Sequence, residues 1–193
     1  MTEVAGLVLA AGAGRRFGGP KAVAELEGER LVDRAVRTLR AGGVERVHVV
    51  SGAVLLDVLG AVVVENPDWD EGMGSSLRAG LVALPGDVDV VMVALVDQPG
   101  LTRETVTRVK AALVDGPGAL VVATYDGRRG HPVALGRSHW PEVSRLAVGD
   151  VGARNFLGRH AGLVSTVECG DVGADADLDH QRDLEGWVRG SAR

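Results

Sequence analysis

Short apolar runs of strand length alternate with amphipathic stretches along most of the chain. Residues 4–10 and 88–96 are almost wholly apolar, a pattern typical of strands that are buried on both faces of a sheet. In Leu31–Ala41 the apolar residues instead recur with the period of a helix, and Gly42 and Gly43 end that pattern. The same criteria predict strands over 44–50, 62–65, 119–125, 132–135 and 163–168, and helices over 76–84 and 102–114.

This alternation predicts the fold class. Strands that alternate with helices are typical of an α/β fold with a mostly parallel central sheet. The chain has 193 residues, the size of one ordinary domain, and no change of composition marks a second one. We therefore expect a single domain over residues 1–189, followed by a frayed tail over 190–193.

Composition and charge narrow the functional classes. The chain is 46% apolar and 24% charged, with a formal net charge of −5, which argues against a nucleic-acid-binding surface or a polybasic membrane anchor. It contains no apolar run near the ~20 residues needed to cross a bilayer, and its start lacks a signal-peptide pattern. Cys169 is the only cysteine, so an intrachain disulfide is excluded. A reducing, cytoplasmic location is expected.

The loop after the first predicted strand, residues 9–21, reads LAAGAGRRFGGPK, with three basic residues and no acid. It does not match a dinucleotide-binding fingerprint, because Phe17 stands where the third glycine is needed. It does not match a P-loop either, because Pro20 separates Gly19 from the lysine and no Ser or Thr follows. A third interpretation is a wide basic loop whose backbone N–H groups, arginines and lysine surround a nucleoside triphosphate. The alternative is a solvated, mobile turn.

An acid follows the longest apolar run. Asp97 comes directly after the predicted strand 88–96, and ligands of parallel sheets gather beyond the carboxyl ends of the strands. If that strand neighbours the first one, Asp97 faces the basic loop and is suited to bind the Mg²⁺ of a triphosphate. The alternative is an aspartate that only forms a turn before Pro99. Residues 168–185 contain seven acids and one base, so a second metal ligand or a solvated acidic loop is expected there.

Three further polar stretches are candidates for ligand contacts. Residues 72–77 open a predicted helix, and Ser75 or Ser76 is expected to cap it. Residues 128–132 form a predicted loop in which Arg129 and His131 are suited to an anionic acceptor. Residues 149–157 are predicted to be a loop that leads into a helix capped by Asp150.

Together these stretches resemble the molybdenum cofactor cytidylyltransferases of the MobA-like NTP transferase superfamily. The basic loop is similar to the signature L-A-A-G-x-G-x-R-x-G-x-P-K, in which Arg16 and Lys21 match the basic positions. Similar stretches elsewhere are NPDWDEGMGSSLRAGL (66–81), VDQP (96–99), RGHP (129–132) and GDVGAR (149–154). The resemblance implies a Rossmann-like three-layer sandwich of the nucleotide-diphospho-sugar transferase type. It also implies Mg²⁺-dependent transfer of CMP from CTP to the terminal phosphate of a molybdopterin acceptor, with release of pyrophosphate.

The resemblance also implies roles for particular residues. Where the family has D-x-D-T-P-E-D-L, this chain reads DLDHQRDL from Asp177, so the choice between Asp177 and Asp179 as second metal ligand stays open. The implied catalytic residues are Arg16, Lys21 and Asp97; the metal ligands Asp97 and Asp179; the nucleotide-binding residues Leu9, Ala10, Ala11, Gly12, Gly14, Arg15, Lys21, Gly74, Ser75 and Ser76; and the acceptor-binding residues Arg129, His131, Asp150 and Arg154.

The base, the acceptor and the partner stay open. Ala11 gives the LAAG form of the signature, which resembles the cytidylyl members, whereas guanylyl members usually have a second glycine. Alternatives are a guanylyltransferase, a transferase for another phosphorylated acceptor, or a non-catalytic carrier or insertion chaperone for the cofactor. A molybdoenzyme or an insertion chaperone is the protein partner that the resemblance implies.

Overall fold

The computed structural model of the chain describes residues 2–191, of which the last three in backbone only. Its strands are β1 (Val4–Leu9), β2 (Glu25–Leu26), β3 (Glu29–Arg30), β4 (Arg46–Ser51), β5 (Val62–Glu65), β6 (Val90–Leu95), β7 (Leu120–Tyr125), β8 (Arg128–Gly136) and β9 (Ser165–Glu168). Its α-helices are α1 (Leu31–Ala41), α2 (Met73–Ala83), α3 (Arg103–Ala111), α4 (Trp140–Leu146), α5 (Arg154–Arg159) and α6 (Gln181–Ser191).

A seven-stranded sheet in the order β5-β4-β1-β6-β8-β7-β9 forms the centre of the molecule. Every pairing is parallel except the two that β8 makes, with β6 and with β7. The predicted single-domain α/β fold with a mostly parallel sheet is therefore confirmed. Because β1 and β6 are direct neighbours, the loops after them leave the sheet side by side.

Two apolar layers cover the sheet. Helices α1 and α3 pack on one face, where Leu39 and Val106 are fully buried, and α2, α4 and α5 pack on the other. Gly80 allows α2 to approach β1 closely, because a Cβ at this position would lie 2.6 Å from the Leu7 side chain. Alternating faces of the central strands thus fill both layers with aliphatic side chains, which explains the wholly apolar runs.

Several element boundaries differ from the predicted ones. Strand β8 begins at Arg128, four residues before the predicted start, because Asp126 and Gly127, both with positive φ, form a tight hairpin turn after β7. The loop predicted over 128–132 is therefore wrong. A small β2–β3 hairpin was not predicted. Helix α6 includes Gly190 and Ser191 from the expected tail, whereas residues 192–193 lie outside the described part of the chain.

None of the helices within residues 2–191 is long and apolar enough to cross a membrane.

Candidate active site

A cleft of about 570 Å³ opens beyond the carboxyl ends of β1 and β6. The loop of residues 9–21 forms one side of this cleft, and the ends of β6 and of the C-terminal acidic stretch form the other. The predicted residues that line it are Leu9, Ala11, Gly12, Gly14, Arg15, Arg16, Lys21, Ser76, Asp97, Asp150 and Asp179. It is also lined by Ala13, Phe17, Trp69, Asp70, Gly72, Met73, Leu95, Val96 and Asp177. Ala10, Gly74, Ser75, Arg129, His131 and Arg154 are not among its lining residues.

The basic loop folds back on itself. Gly14 has a φ of +60°, and its carbonyl oxygen accepts hydrogen bonds from the N–H groups of Gly18 and Gly19. A side chain at Gly14 would place Cβ 1.9 Å from the Gly19 carbonyl oxygen, so only glycine fits this turn. Phe17 is 5% exposed and packs into the apolar layer beside α1, which anchors the loop. Arg15 and Arg16 remain exposed at the mouth of the cleft.

The ammonium group of Lys21 lies between two carboxylates. Its Nζ is 2.6 Å from Oδ2 of Asp97 and 3.5 Å from Oδ1 of Asp179. Nη2 of Arg16 is also 3.5 Å from Asp179 Oδ1. The Lys21 and Asp97 side chains are only 16% and 19% exposed, so this ion pair is partly shielded from water. The structure thus brings the basic loop, Asp97 and Asp179 together across one cleft.

The acidic stretch of residues 174–179, which has no regular secondary structure, lies against the end of β6. The side-chain amide of Gln98 donates to Oδ1 of both Asp175 and Asp177, each at 2.9 Å. Burial raises the pKa of the Asp177 carboxyl; the Gln98 hydrogen bond and Lys21 oppose this, while Asp97 and Asp175 raise it further. Gln98 was not predicted as a site residue, although it belongs to the VDQP stretch (96–99) that resembles the family.

The carboxylates fit a cation only together with other ligands. Within the described residues, no set of three or more histidine, cysteine, aspartate and glutamate side chains is placed to hold a metal ion by itself. Asp97 and Asp179 nevertheless converge on the same ammonium group, so a cationic position exists between them. Mg²⁺ commonly takes one or two carboxylates and completes its shell with phosphate oxygens and waters. This pair is therefore suited to a metal that arrives with a phosphate chain.

A third part of the cleft lining, formed around Trp69 and Met73, is apolar. A Cβ at Gly52 would lie 2.5 Å from Cβ of Trp69 and 2.8 Å from Cβ of Ala11, so both residues lie close against Gly52. Trp69 is half-buried and lines the cleft, with its neighbour Met73 at the start of α2. Trp69 and Met73 thus give the cleft an apolar surface next to the start of α2.

The predicted cap of α2 is wrong. The helix begins at Met73, and neither serine caps it: the single proton of the Ser75 hydroxyl is shared between the carbonyl oxygens of Asp68 and Gly72, at 2.7 and 2.9 Å. Both serine hydroxyls also accept hydrogen bonds from the buried Asn66 side chain. Gly74 packs on the backbone of Ala147, where a Cβ would lie 2.5 Å from the carbonyl oxygen.

Asp150 caps a different helix from the one predicted. Helix α5 begins only at Arg154 and has no side-chain cap, whereas Oδ1 of Asp150 accepts a 3.3 Å hydrogen bond from the N–H of Met73. Gly72 has a φ of +107°, and its lack of a side chain lets the chain pass next to Asp150. A Cβ at Gly72 would lie only 2.6 Å from Oδ1 of Asp150. Asp150 therefore joins the start of α2 to the rim of the cleft.

The remaining acceptor candidates lie behind the cleft, at the start of β8 and of α5. Burial strongly desolvates His131 and lowers its pKa, Asp175 and Asp97 raise it in part, and Arg154 lowers it. The Tyr125 hydroxyl donates to the His131 carbonyl at 2.7 Å, and Nη1 of Arg129 is 3.5 Å from the Leu157 carbonyl oxygen. His131 is thus electrostatically coupled to the carboxylates of the cleft without lining it.

Comparisons with known proteins identify the family. Residues 6–164 match the model of the MobA-like NTP transferase domain. "Nicotine blue oxidoreductase" of Paenarthrobacter nicotinovorans is 39% identical over 190 residues, covering 91% of this chain and 92% of that protein. A "probable molybdenum cofactor guanylyltransferase" of Geobacillus sp. (strain WCH70) is 47% identical over 57 residues, covering 30% of this chain and 29% of that protein.

Solved structures agree with this match. A manganese complex of Rv0371C from Mycobacterium tuberculosis H37Rv superposes with a TM-score of 0.73 at 27% sequence identity, covering 95% of this chain and 99% of that one. The fold, the glycine-rich basic loop and the family match agree over most of the chain, and the chain belongs to the MobA-like NTP transferase family of nucleotidyltransferases.

Proposed function

We propose that this protein is a CTP:molybdenum cofactor cytidylyltransferase, which transfers CMP to the terminal phosphate of a molybdopterin acceptor and releases pyrophosphate. The observation that carries this proposal is the position of Lys21 between Asp97 and Asp179 at the end of the two central strands. Such a site holds both cationic and anionic groups, which a metal-bridged triphosphate requires. The resemblance of the loop and of four further stretches supports the acceptor.

In this mechanism the protein aligns reactants and stabilises charge. Arg15, Arg16 and Lys21, with the backbone N–H groups of the glycine-rich loop, bind the phosphate oxygens of the nucleotide and orient its α-phosphorus. Lys21 then leaves Asp97 to contact a phosphate oxygen. The acceptor is itself a phosphate, which is already deprotonated near neutral pH, so its oxygen attacks without a strong general base. Pyrophosphate leaves in line with the attacking oxygen.

A divalent metal, Mg²⁺ in this proposal, fits the Asp97–Asp179 pair. When bound, it neutralises charge on the phosphates and orients them. The manganese complex of the mycobacterial relative supports a divalent cation in this family. Asp97 and Asp179 hold such an ion by their carboxylate oxygens once Lys21 has moved to the nucleotide.

The choice of CTP rests on the apolar wall. The Ala11 methyl group and Trp69 both lie against Gly52, and both line the cleft, so Ala11 takes up space on the side where the base would stack in this proposal. A pyrimidine needs less room there than a purine. A glycine at position 11 would widen the wall, which is the form usual in guanylyl members. Guanylyl transfer is therefore the alternative within this class, and the similarity to a named guanylyltransferase supports it.

The acceptor is proposed to approach from the side of β8 and α5. Arg129 and Arg154 are cationic and flank His131, which interacts electrostatically with Asp97. An anionic cofactor with a terminal phosphate complements these cationic groups, although they do not line the cleft itself. A molybdoenzyme, or a chaperone that inserts the cofactor into one, is the protein partner proposed to receive the product.

The decisive experiment measures pyrophosphate release with CTP, GTP, ATP and UTP in turn, with and without molybdenum cofactor. We expect release only with CTP, Mg²⁺ and the cofactor together. Binding is checked separately by thermal shift, since a ligand at 100 times its Kd stabilises a fold by about 2.7 kcal/mol. A shift and turnover with GTP but not with CTP would replace cytidylyl by guanylyl transfer. Binding without pyrophosphate release would instead support a non-catalytic carrier.

Reduction is a second candidate, because the similarity to a protein named as an oxidoreductase extends over nearly the whole chain. A nicotinamide dinucleotide carries a diphosphate that the same basic loop could bind. The control assay therefore follows oxidation of NADH and NADPH with a quinonoid dye as acceptor. Dye-dependent oxidation that Lys21→Ala abolishes, in the absence of any pyrophosphate release, would favour this candidate over nucleotidyl transfer.

A further inference from the structure

The acidic segment, residues 174–179, carries Asp179 to the cleft without regular secondary structure of its own. Its far end is tied to α6, because the N–H of Asp179 donates to Oδ2 of Asp183 at 3.0 Å. Two backbone hydrogen bonds attach it to the loop after β6: the N–H of Ala174 donates to Gly100, and the N–H of Leu178 donates to Asp97. The Leu178 side chain is 2% exposed and anchors the segment in the core. Between these two attachments, no backbone hydrogen bond joins the segment to the rest of the described residues, so side-chain contacts position it.

Gln98 provides those contacts. It is 9% exposed, and its Nε2 donates to Oδ1 of Asp175 and to Oδ1 of Asp177, both at 2.9 Å. An amide nitrogen has two N–H groups, one for each acceptor. The opposite orientation would turn the amide oxygen toward two carboxylates, so the chemistry of the partners determines how the amide lies.

Without the two hydrogen bonds from Gln98, no donor at this position would offset the repulsion between the carboxylates of Asp175 and Asp177. Asp175 also packs against Gly130, where a Cβ would lie 2.5 Å from its carboxyl carbon, so it cannot move away toward β8. Asp177 lines the cleft beside Asp97 and Asp179. A neutral donor at position 98 satisfies two of these acids and leaves their negative charge available to a cation.

We propose that Gln98 is a positioning residue, which holds the acidic segment through Asp175 and Asp177 so that Asp179 faces Lys21 and Asp97. This inference rests on the proposed function, because Asp179 matters only if the cleft binds a metal with a nucleotide. Gln98 does not contact the metal in this proposal; it acts through the segment that carries Asp179, as residues hydrogen-bonded behind a metal ligand commonly do. Loss of its two hydrogen bonds frees the segment and weakens the contribution of Asp179.

The primary test measures Mn²⁺ binding in the presence of CTP, from the loss of the free-ion electron paramagnetic resonance signal. Gln98→Met keeps the side-chain length and removes both donors, and Gln98→Glu also adds a third carboxylate. We expect each to weaken Mn²⁺ binding by about tenfold or more, since groups behind metal ligands typically contribute 10–100-fold. Gln181→Met is the matched control, an exposed glutamine at the start of α6, and should bind as the wild type does.

A rescue separates positioning from general damage to the fold. In the Gln98→Glu background, Asp175→Asn places an amide opposite the new carboxylate and restores one hydrogen bond with the donor and acceptor exchanged. We expect this double variant to regain a part of the lost Mn²⁺ affinity. In turnover assays, Gln98→Met should raise the metal concentration for half-maximal rate and change kcat at saturating metal little.

Hydrogen exchange gives a readout that needs no activity. Amides of residues 174–179 should exchange faster in Gln98→Met, while those of β1 and β6 should not change. Wild-type protein that binds no Mn²⁺ with CTP would overturn the proposed function together with this inference. Wild-type binding that both Gln98 variants retain would overturn the positioning role alone. If Gln98→Glu does not fold, the neutral Gln98→Met variant decides.

Discussion

At the scale of single residues, one ammonium group faces two carboxylates at the mouth of the cleft. Lys21 is close enough to Asp97 for a charge-assisted hydrogen bond and is also near Asp179, and all three are accessible from the cleft. Neither Lys21 nor Asp97 belongs to the apolar layers. Replacing either should therefore affect chemistry far more than folding.

We expect Lys21→Ala and Asp97→Asn each to slow pyrophosphate release by roughly 10²–10³, the usual effect of losing one preorganised charge contact. The control is Asp87→Asn, which breaks an exposed ion pair with Arg46 and should keep the wild-type rate. Circular dichroism and thermal melting should show all three variants folded. Rates near wild type for Lys21→Ala would contradict its role at the phosphates.

The roles of single residues could be predicted only where a local sequence pattern indicates them. The basic loop and Asp97 each follow an apolar run typical of a buried strand, so their meeting in one cleft could be expected on the condition that these two strands are neighbours. The contacts of Gln98 could not, because its partners lie 77 and 79 residues further along the chain. The partners of Asn66 lie only 9 and 10 residues away, but no pattern of apolar and polar positions indicates that contact. For the same reason Asp150 was assigned to the helix after it rather than to α2.

At the scale of elements, the chain supplies local stop and start signals of unequal strength. Thr102 caps α3 as its position before an amphipathic run predicts, with its hydroxyl oxygen accepting from the N–H of Thr105 at 3.1 Å. The start of α2 was predicted three residues too late. The sequence favours the two serines as its cap, whereas the chain turns into the helix at Gly72, which has a positive φ. Asp126-Gly127 is a recognisable turn signal in the sequence. The residues after it, RRGHP (128–132), contain a glycine and a proline, which disfavour a strand, so the first part of β8 was not predicted.

Thr102→Ala should lower the free energy of unfolding by about 1 kcal/mol, since it leaves an N–H group at the start of α3 without its cap. Thr102→Asn keeps a side-chain acceptor and should stay close to the wild type. Urea unfolding monitored by circular dichroism measures both. Equal destabilisation of the two variants would show that the threonine methyl group, and not the cap, stabilises this end of the helix.

At the scale of the whole molecule, strand order decides where the site forms. The α/β class was predictable because alternating apolar runs and amphipathic stretches are local signals. The strand order β5-β4-β1-β6-β8-β7-β9 was not predictable, since strand pairing joins residues far apart in sequence. The composition of β8 also does not indicate that it lies antiparallel between β6 and β7. Only the neighbouring positions of β1 and β6 were needed for the functional argument, and the structure shows them.

A buried histidine makes the stability of the whole fold depend on pH. His48 on β4 is 4% exposed, its Nδ1 has no hydrogen-bond partner within the described chain, and burial, together with Arg46, lowers its pKa. Below about pH 6.5 the unfolded chain binds a proton at this position that the folded chain resists, so acid weakens the fold.

We expect His48→Leu to lose less unfolding free energy than the wild type between pH 7.5 and pH 5.5, because leucine cannot take up that proton. Urea titrations at the two pH values measure the difference directly. Other titrating groups contribute equally to both proteins and cancel in the comparison. The same loss in both proteins would mean that His48 is protonated in the folded state as readily as in the unfolded one.

The distance along the chain between the two sides of the cleft has a consequence for biosynthesis. The basic loop, residues 9–21, precedes most strands of the sheet, whereas Asp179 follows the last strand, which ends at Glu168. A nascent chain can therefore assemble its entire sheet while the cleft still lacks one of its acids. A chain that stops at Glu168 would lack Asp179 and also the buried side chains of Cys169 and Leu178, so the cleft and one apolar layer are completed together by the last part of the chain.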